Sequence, residues 1–429
     1  MNTQTSTVDC RDSLEFETQD AVGNEYRYQL TDCGAVVTRC RAHAATVEVP
    51  AAFEGVPVVE IAPEAFAASE KFALPGRPAA PQHASQRVSQ TYLDLRAGAR
   101  NGQLERVVLP EGVIAIGRAA FRGCGRLSEV ALPNLLESID DLAFSCTALK
   151  AVRLPRACVR LAPDALRTGP ETVPGAERAY RSKIEHVEVE PENPVYCIRG
   201  GLLCRRIVGS DPLSRGLEVV FCPGRIGKVE LAGDITRVAP EAFEGTYEIG
   251  ELRIADTVEF DEGAGPVSRA ACGRVSIEYA GTAGASTLSF EMPDAAFSIN
   301  VLAVTRGART LDASTIACAY DAALLDVPDK LVRLRLMTAR LADPRFLTVE
   351  RRDCFFEEIS ANLDALIAHF GARGMWEQYD LLAVAGVLTN ATISRAIDVL
   401  TTLSDAASVG ALLELKRTRF GEAAWDYAL

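Results

Sequence analysis

The chain has 429 residues, of which 48% are hydrophobic, and this apolar content excludes wholesale disorder. Its length is sufficient for two or three domains. Acidic residues outnumber basic ones by 58 to 45, so the formal net charge is −13. A negative balance of this size argues against a nucleic acid or an anionic membrane surface as the partner.

The N-terminal stretch MNTQTSTVDCRDSLEFE has neither the basic n-region nor the apolar h-region of a secretory signal. No apolar run approaches the ~18 residues of a transmembrane helix. Twelve cysteines in a chain without an export signal are typical of reduced thiols in a cytosol. We therefore expect a cytoplasmic protein, with exposure at the cell surface as the alternative.

Residues 1–45 are interpreted as N-terminal cap strands. The stretches EYRYQL and AVVTRC alternate between apolar and polar residues on either side of the turn residues Asp32 and Gly34. This pattern predicts short strands joined by a tight turn, ahead of the regular repeats.

The stretch 104–167 contains three lines of sequence that repeat at steps of 23 and 22 residues. In each line a leucine, a proline and a large apolar residue keep their places: Leu104, Leu127 and Leu149; Pro110, Pro133 and Pro155; Phe121, Phe144 and Leu166. Such a period is typical of a solenoid, in which each unit covers the apolar face of the next. We expect one LxxVxL strand per coil, ended by proline, after which Val113 and Ile116 turn the chain back.

The pattern LxxVxLPxxVxxIxxxAFxxC resembles that of the BspA-like leucine-rich repeat proteins of bacteria, over roughly residues 45–245. The stretch VEVEPENPVYCIRGGLLCRR at 187–206 resembles a variant coil of that family, with an Asn-x-x-Tyr motif and a following Gly-Leu-Leu hairpin. The resemblance implies a leucine-rich repeat fold and a binding module, often an adhesive surface protein. It transfers no catalytic residues to this chain.

The solenoid is expected to occupy residues 46–280, in coils of about 22–23 residues. Its period breaks at 72–103 and 167–183, which we interpret as insertions in surface loops. The alternative is that the two insertions form a paired rim around a binding surface. Residues 281–327 are expected to be a connecting or closing β segment, because terminal repeats are usually atypical.

Apolar residues recur with helical spacing in residues 328–429, which predicts an all-α domain. One helix is expected to carry a buried stripe: Phe356, Ile359, Leu363, Leu366 and Phe370. Gly371 is expected to cap that helix, and Thr389 and Asp405 to begin the two last helices. The domain is a small α-bundle or a degenerate ankyrin-like array. The predicted fold class is therefore α+β, a leucine-rich repeat β-solenoid followed by an all-α C-terminal domain.

No spacing typical of a metal or catalytic site occurs in the sequence. The four histidines are far apart, and C-x₂-C, H-E-x-x-H, EF-hand and G-x-S-x-G patterns are absent. We therefore expect no metal, no cofactor and no enzymatic activity. An enzyme built on the insertion loops is the remote alternative.

The candidate binding residues are the outward-facing positions of the LxxVxL strands: Arg106, Val108, Glu129, Ala131, Ala151, Arg153, His186 and Glu188. Mixed charges among small residues on a laterally stacked surface suit contact with a protein or peptide. The alternative is an ordinary solvated sheet face. The expected function is a non-enzymatic protein–protein interaction scaffold with a protein ligand, and the alternative is a surface adhesin that binds host or matrix proteins.

Overall fold

The computed structural model describes residues 14–68, 101–169, 182–207, 216–260, 270–281, 284–305 and 307–421. The chain forms two compact units. The first, here called the solenoid unit, comprises residues 1–253, 258–271 and 307–309, and the second, the helical unit, comprises 254–257, 272–306 and 310–429. The predicted insertions at 72–103 and 167–183 lie largely outside the described residues. The segment boundaries predicted after residues 45 and 280 stay predictions.

The solenoid unit begins with an antiparallel meander of β1 (Glu15–Gln19), β2 (Glu25–Thr31) and β3 (Gly34–Arg41). The strands predicted from EYRYQL and AVVTRC are thus present as β2 and β3. The turn between them needs glycine at Gly34, which has a φ of 146° and where a Cβ would lie 2.5 Å from Cγ1 of Val59. From β3 the pairing becomes parallel, through β6 (Val56–Ile61), and the short β5 (Ala52–Phe53) pairs antiparallel with β6.

Two rows of short strands run along the stacked coils. The LxxVxL row consists of β4 (Thr46–Glu48), β7 (Arg106–Val108), β9 (Glu129–Ala131), β11 (Ala151–Leu154) and β13 (His186–Val189). In this row β4, β7 and β9 pair in parallel, as do β11 and β13. The second row consists of β6, β8 (Ala115–Ile116), β10 (Ser138–Ile139) and β12 (Arg160–Leu161), also parallel. The stretch after each proline, expected only to turn the chain back, therefore contributes a second strand to the coil.

A stack of phenylalanine rings fills the interior of the coils. Phe121 lies between Phe66 and Phe144, with ring centroids 5.0 Å and 5.7 Å away, and all three side chains are buried. Leu104, Leu127 and Leu149, which open the repeat lines, are buried in the same core. The repeated residues are those that face the interior, because each coil must cover the apolar surface of its neighbour.

The remaining strands of the solenoid unit are β14 (Tyr196–Arg199), β15 (Leu202–Ile207), β16 (Gly216–Phe221), β17 (Arg225–Leu231), β18 (Ile235–Val238), β19 (Glu248–Ala255) and β20 (Glu259–Phe260). Strands β14, β15, β16, β18 and β20 form one sheet in that order, and β17 neighbours β19. The predicted hairpin after the Asn-x-x-Tyr motif is the antiparallel pair β14–β15.

The helical unit contains an antiparallel hairpin of β21 (Ala271–Gly281) and β22 (Gly284–Glu291), followed by helices. The helices are α1 (Ala295–Leu302), α2 (Ala313–Ala323), α3 (Lys330–Ala342), α4 (Val349–Ala361), α5 (Leu363–Ala372), α6 (Glu377–Val384), α7 (Asn390–Thr402) and α8 (Ala406–Phe420). In the described part of the chain, none of these helices has both the length and the apolar character that crossing a membrane requires.

In its described residues the segment 281–327, expected to be β structure, contains the strand β22 and the helices α1 and α2. Asp294 and Asp312 begin α1 and α2, since their carboxylates accept the backbone N–H of Phe297 and Thr315. The stretch AAFSINVL is too short and too uniformly apolar for periodicity to separate helix from strand. The helices therefore begin earlier than the expected residue 328.

The predicted N-caps Thr389 and Asp405 are confirmed, whereas the predicted cap at Gly371 is wrong. Gly371 lies inside α5, where a Cβ would be 2.6 Å from Oδ2 of Asp405 and would collide with the start of α8. The predicted single helix breaks at Asn362, and Phe356 is 41% exposed while Phe355 is buried. Close packing explains the glycine at position 371. The other predicted stripe residues are buried: Ile359, Leu363, Leu366 and Phe370.

Candidate functional site

The predicted binding residues lie together on the LxxVxL row, on a surface here called the strand face. Six are exposed and two, Val108 and Ala131, are half-buried. The parallel register places Arg106 beside Glu129 and, in the second pair of strands, Arg153 beside Glu188. The strand face therefore alternates positive, negative and small side chains from coil to coil.

Ion pairs connect neighbouring coils across the strand face. Arg106 Nε lies 3.2 Å from Glu129 Oε1, and Arg153 Nη2 lies 3.4 Å from Glu190 Oε1. The arginine side chains are half or more exposed, and pairs of this kind contribute only about 0–1 kcal/mol to stability. Such charges can exchange an internal partner for an external one at little cost in stability.

His186 and Glu188 extend the strand face, and both are exposed. Their side chains have no hydrogen-bond or ion-pair partner among the residues that the structure describes. They are therefore available for contact with a ligand.

A second surface, which was not predicted from the sequence, is formed by the second strand row. Glu60, Ala115, Ser138 and Arg160 lie side by side on β6, β8, β10 and β12, each in parallel register with the next. The residues that follow them on β6, β8 and β10 face the core. A row with small side chains in the middle and large charged ones at its ends makes a depression, here called the trough.

The trough has a volume of about 480 Å³. Ala115, Ser138 and Gly117 form its floor, and Glu60 and Arg160 stand at its ends. Gly117 packs against the neighbouring coil, where a Cβ would lie 2.6 Å from the backbone nitrogen of Pro63. The close approach of these two coils beside the trough thus depends on a glycine at this position.

The β14–β15 hairpin supplies the side wall of the trough beside β12. Tyr196 is buried, and its hydroxyl accepts the backbone N–H of Leu161 at 3.0 Å. Burial is the main reason that the pKa of this phenol is raised. Arg205 also lines the trough and is held by Glu218, with its Nε 2.8 Å from Glu218 Oε2. The wall is therefore fixed by hydrogen bonds on both sides of the hairpin.

The two ends of the trough carry opposite charges that nothing in the described residues neutralises. Neither the carboxylate of Glu60 nor the guanidinium of Arg160 has a partner in the described part of the chain. Glu60 is half-buried, and this burial raises the pKa of its carboxyl group. An opposite charge brought to either end would meet an unpaired group.

Among the described residues, no group of three or more His, Cys, Asp or Glu side chains is arranged to hold a metal ion. The buried cysteines act as core residues. Cys124 is buried among the coils, its Sγ lies 3.2 Å from the carbonyl oxygen of Phe66, and burial raises its pKa to about 12. Such a thiol is protonated near neutral pH and is a poor nucleophile.

Residues 99–168 match a protein family described as BspA type Leucine rich repeat region (6 copies). A search of curated proteins found no match. Among solved structures, a leucine-rich repeat protein from Bacteroides capillosus is 23% identical, with 41% of this chain and 98% of that chain covered and a TM-score of 0.27.

Two further solved structures are similar to this chain. A leucine rich cell surface protein from Faecalibacterium prausnitzii is 14% identical, with 58% of this chain and 73% of that chain covered and a TM-score of 0.24. The T. pallidum Leucine Rich Repeat protein is 19% identical, with 53% and 81% covered and a TM-score of 0.28. Over residues 99–168 the chain thus matches the BspA type leucine-rich repeat family, and its stacked coils are followed by a C-terminal helical region.

Proposed function

We propose that this protein is a non-enzymatic interaction scaffold that binds a protein ligand through the strand face. The observation that carries the proposal is the set of exposed, mixed charges on two groups of paired strands: Arg106 beside Glu129, and Arg153 and Ala151 beside Glu188 and His186. Stacked repeats hold such side chains on a continuous surface, which suits contact with another folded protein. Val108 and Ala131 add small apolar contacts between the charges.

The direct test reverses the charge of two strand-face residues. The double variant Arg106→Glu and Arg153→Glu places like charges beside Glu129 and Glu190 and reverses the field that a partner meets. Affinity purification of the native full-length chain, followed by mass spectrometry, should recover at least one specific protein that the double variant loses. The matched control is Arg417→Glu, an exposed arginine in α8 of the helical unit, which should retain that protein.

The proposal fails if the double variant and the wild type recover the same proteins in the same amounts. Thermal unfolding separates this result from misfolding, since surface substitutions of this kind change stability by about 0.5 kcal/mol or less.

We propose the cytoplasm as the compartment of action, because a chain with twelve cysteines is suited to a reducing environment. The alternative is a surface adhesin that binds host or matrix proteins. Protease treatment of intact cells distinguishes the two, since a cytoplasmic protein is protected until the cells are lysed. Digestion in intact cells would support the adhesin and contradict the cytoplasmic scaffold.

A further inference from the structure

We propose that the trough is a second binding site, for a short extended peptide segment with a cationic group at the Glu60 end and an anionic group at the Arg160 end. The site lies on the second strand row, whereas the proposed scaffold function uses the LxxVxL row. It therefore goes beyond that function and stands or fails independently of it.

The length of the trough sets the length of the peptide. Glu60 and Arg160 are separated by three strand-to-strand steps in one register row. At 4.7–4.9 Å per step, their backbones are about 14 Å apart. An extended chain rises about 3.3 Å per residue, so about four residues span the two ends.

The floor suits a peptide backbone. The small side chains of Ala115 and Ser138, in the middle of the row, leave room above the sheet for a chain to lie close to it. The hydroxyl of Ser138 has no partner among the described residues and can donate to or accept from a peptide group. One hydroxyl in the middle of the row can fix the position of a backbone without selecting a particular side chain.

The ends determine the charge of the peptide. Glu60 is half-buried and has no partner in the described part of the chain, so a cation that neutralises it also offsets the desolvation of its carboxylate. Arg160 is exposed and likewise has no partner among the described residues, and a carboxylate can bind its guanidinium through two hydrogen bonds. Asp140 in the lining adds negative charge, which opposes binding of a polyanion such as a nucleic acid.

A smaller zwitterion fits less well. The two charges of a free amino acid are only a few bonds apart and cannot reach Glu60 and Arg160 at the same time. The spacing of the two charged ends thus favours a peptide over a single amino acid.

The test uses three blocked tetrapeptides, acetylated and amidated so that only their side chains are charged: Lys-Ala-Ala-Asp, Lys-Ala-Ala-Lys and Asp-Ala-Ala-Asp. Binding to the full chain is measured by calorimetry at low salt. The Lys/Asp peptide should bind at least about tenfold more tightly than either like-charge peptide, because each of those brings a repelled charge to one end.

Charge reversal at one end makes the test specific to the trough. The variant Arg160→Glu should change the preference to the Lys/Lys peptide, and Glu60→Lys should change it to the Asp/Asp peptide. The matched control Arg153→Glu, on the strand face, should keep the wild-type preference. Circular dichroism checks that each variant is folded, and Arg160→Glu, at an exposed position, tests the proposal even if Glu60→Lys fails to fold.

Three results would overturn the proposal: no binding of the Lys/Asp peptide, equal binding of all three peptides, or a preference that Arg160→Glu leaves unchanged. Loss of the preference in Arg153→Glu would assign the peptide to the strand face instead. The purification experiment on the strand face can fail while this one succeeds, so the two proposals are tested separately.

Discussion

Phe121 shows how one residue stabilises three coils at once. Its ring lies between those of Phe66 and Phe144, and it has no exposed surface. Replacing it with alanine leaves a cavity shared by neighbouring coils, which costs about 3–5 kcal/mol. We expect urea unfolding to show that Phe121→Ala lowers the free energy of unfolding of the solenoid unit by about 3–5 kcal/mol.

The control is Phe356→Ala, at an exposed position of α4. This variant should lose about 0.5 kcal/mol or less of its free energy of unfolding. Equal losses in the two variants would show that the aromatic stack does not contribute as the geometry indicates.

Burial of Glu60 makes the folded chain less stable as the pH rises and this carboxyl group ionises. Burial raises the pKa of its carboxyl in the folded chain above the unfolded value of about 4.3. Below the pKa of the unfolded chain, Glu60 is protonated in both states and its contribution to stability is fully present. That contribution is lost as the pH rises through the higher pKa of the folded chain, because the carboxylate is then half-buried. Glu60→Gln should therefore be more stable than the wild type near neutral pH, with the advantage disappearing near pH 4.

Urea unfolding of the wild type and of Glu60→Gln at both pH values measures this difference. The control is Glu188→Gln, at an exposed position of the strand face. A pH-independent difference between the wild type and Glu60→Gln would show that desolvation does not act on this carboxylate.

At the scale of the element, Asn193 explains why the variant coil needs its Asn-x-x-Tyr motif. Its buried amide donates to the carbonyls of Pro155 and Cys158 and accepts the N–H groups of Val195 and Tyr196. Each buried polar group left without a partner costs about 1–3 kcal/mol. Asn193→Ala should therefore destabilise the β14–β15 hairpin by several such increments.

Hydrogen exchange at the backbone amides of Val195 and Tyr196 measures the loss of their hydrogen bonds to Asn193 in Asn193→Ala. Their protection should fall by orders of magnitude in that variant and stay unchanged in Asn134→Ala, because the side-chain amide of Asn134 donates to the exposed Glu111 and lies on the surface. Unchanged protection in Asn193→Ala would contradict the bonding assigned to the motif.

A buried ion pair joins two helices of the helical unit. Arg340 Nε in α3 lies 2.7 Å from Asp321 Oδ1 in α2, and both side chains are almost fully buried. Arg340 also donates to the carbonyl of Arg345, beyond the end of α3. Removing one partner leaves the other charge buried and costs about 3–5 kcal/mol.

Asp321→Ala should therefore lower the unfolding free energy of the helical unit by about 3–5 kcal/mol. Asp380→Ala, which breaks an exposed pair with Arg419, should cost about 1 kcal/mol or less. Calorimetric melting of the two variants compares them, and equal shifts would contradict the role assigned to the buried pair.

Sequence periodicity predicted the elements whose apolar residues repeat without interruption. The LxxVxL strands and their outward positions were predicted because alternation and the 22–23-residue step agree there. The second row was missed because β8, β10 and β12 are two residues long, too short for an alternating pattern to be recognised. The trough was missed with them, since it depends on residues that only the register aligns.

At the scale of the whole molecule, the sequence predicted a solenoid followed by helices, and the structure confirms that order. Each coil extends the strand face by about 4.8 Å, so several coils together are needed to build a surface large enough for a stable protein contact. Single substitutions on this surface should therefore weaken binding less than combined ones. The charge-reversal test changes two coils for this reason.

The central claim is that the strand face contacts a protein partner in the cell. A photo-crosslinking amino acid at position 151, between Arg106 and His186 on the strand face, tests it in living cells. We predict a crosslinked adduct that disappears when Arg106→Glu and Arg153→Glu are added and is absent with the crosslinker at position 395 of α7. No adduct at position 151, or the same adduct at both positions, would contradict the claim.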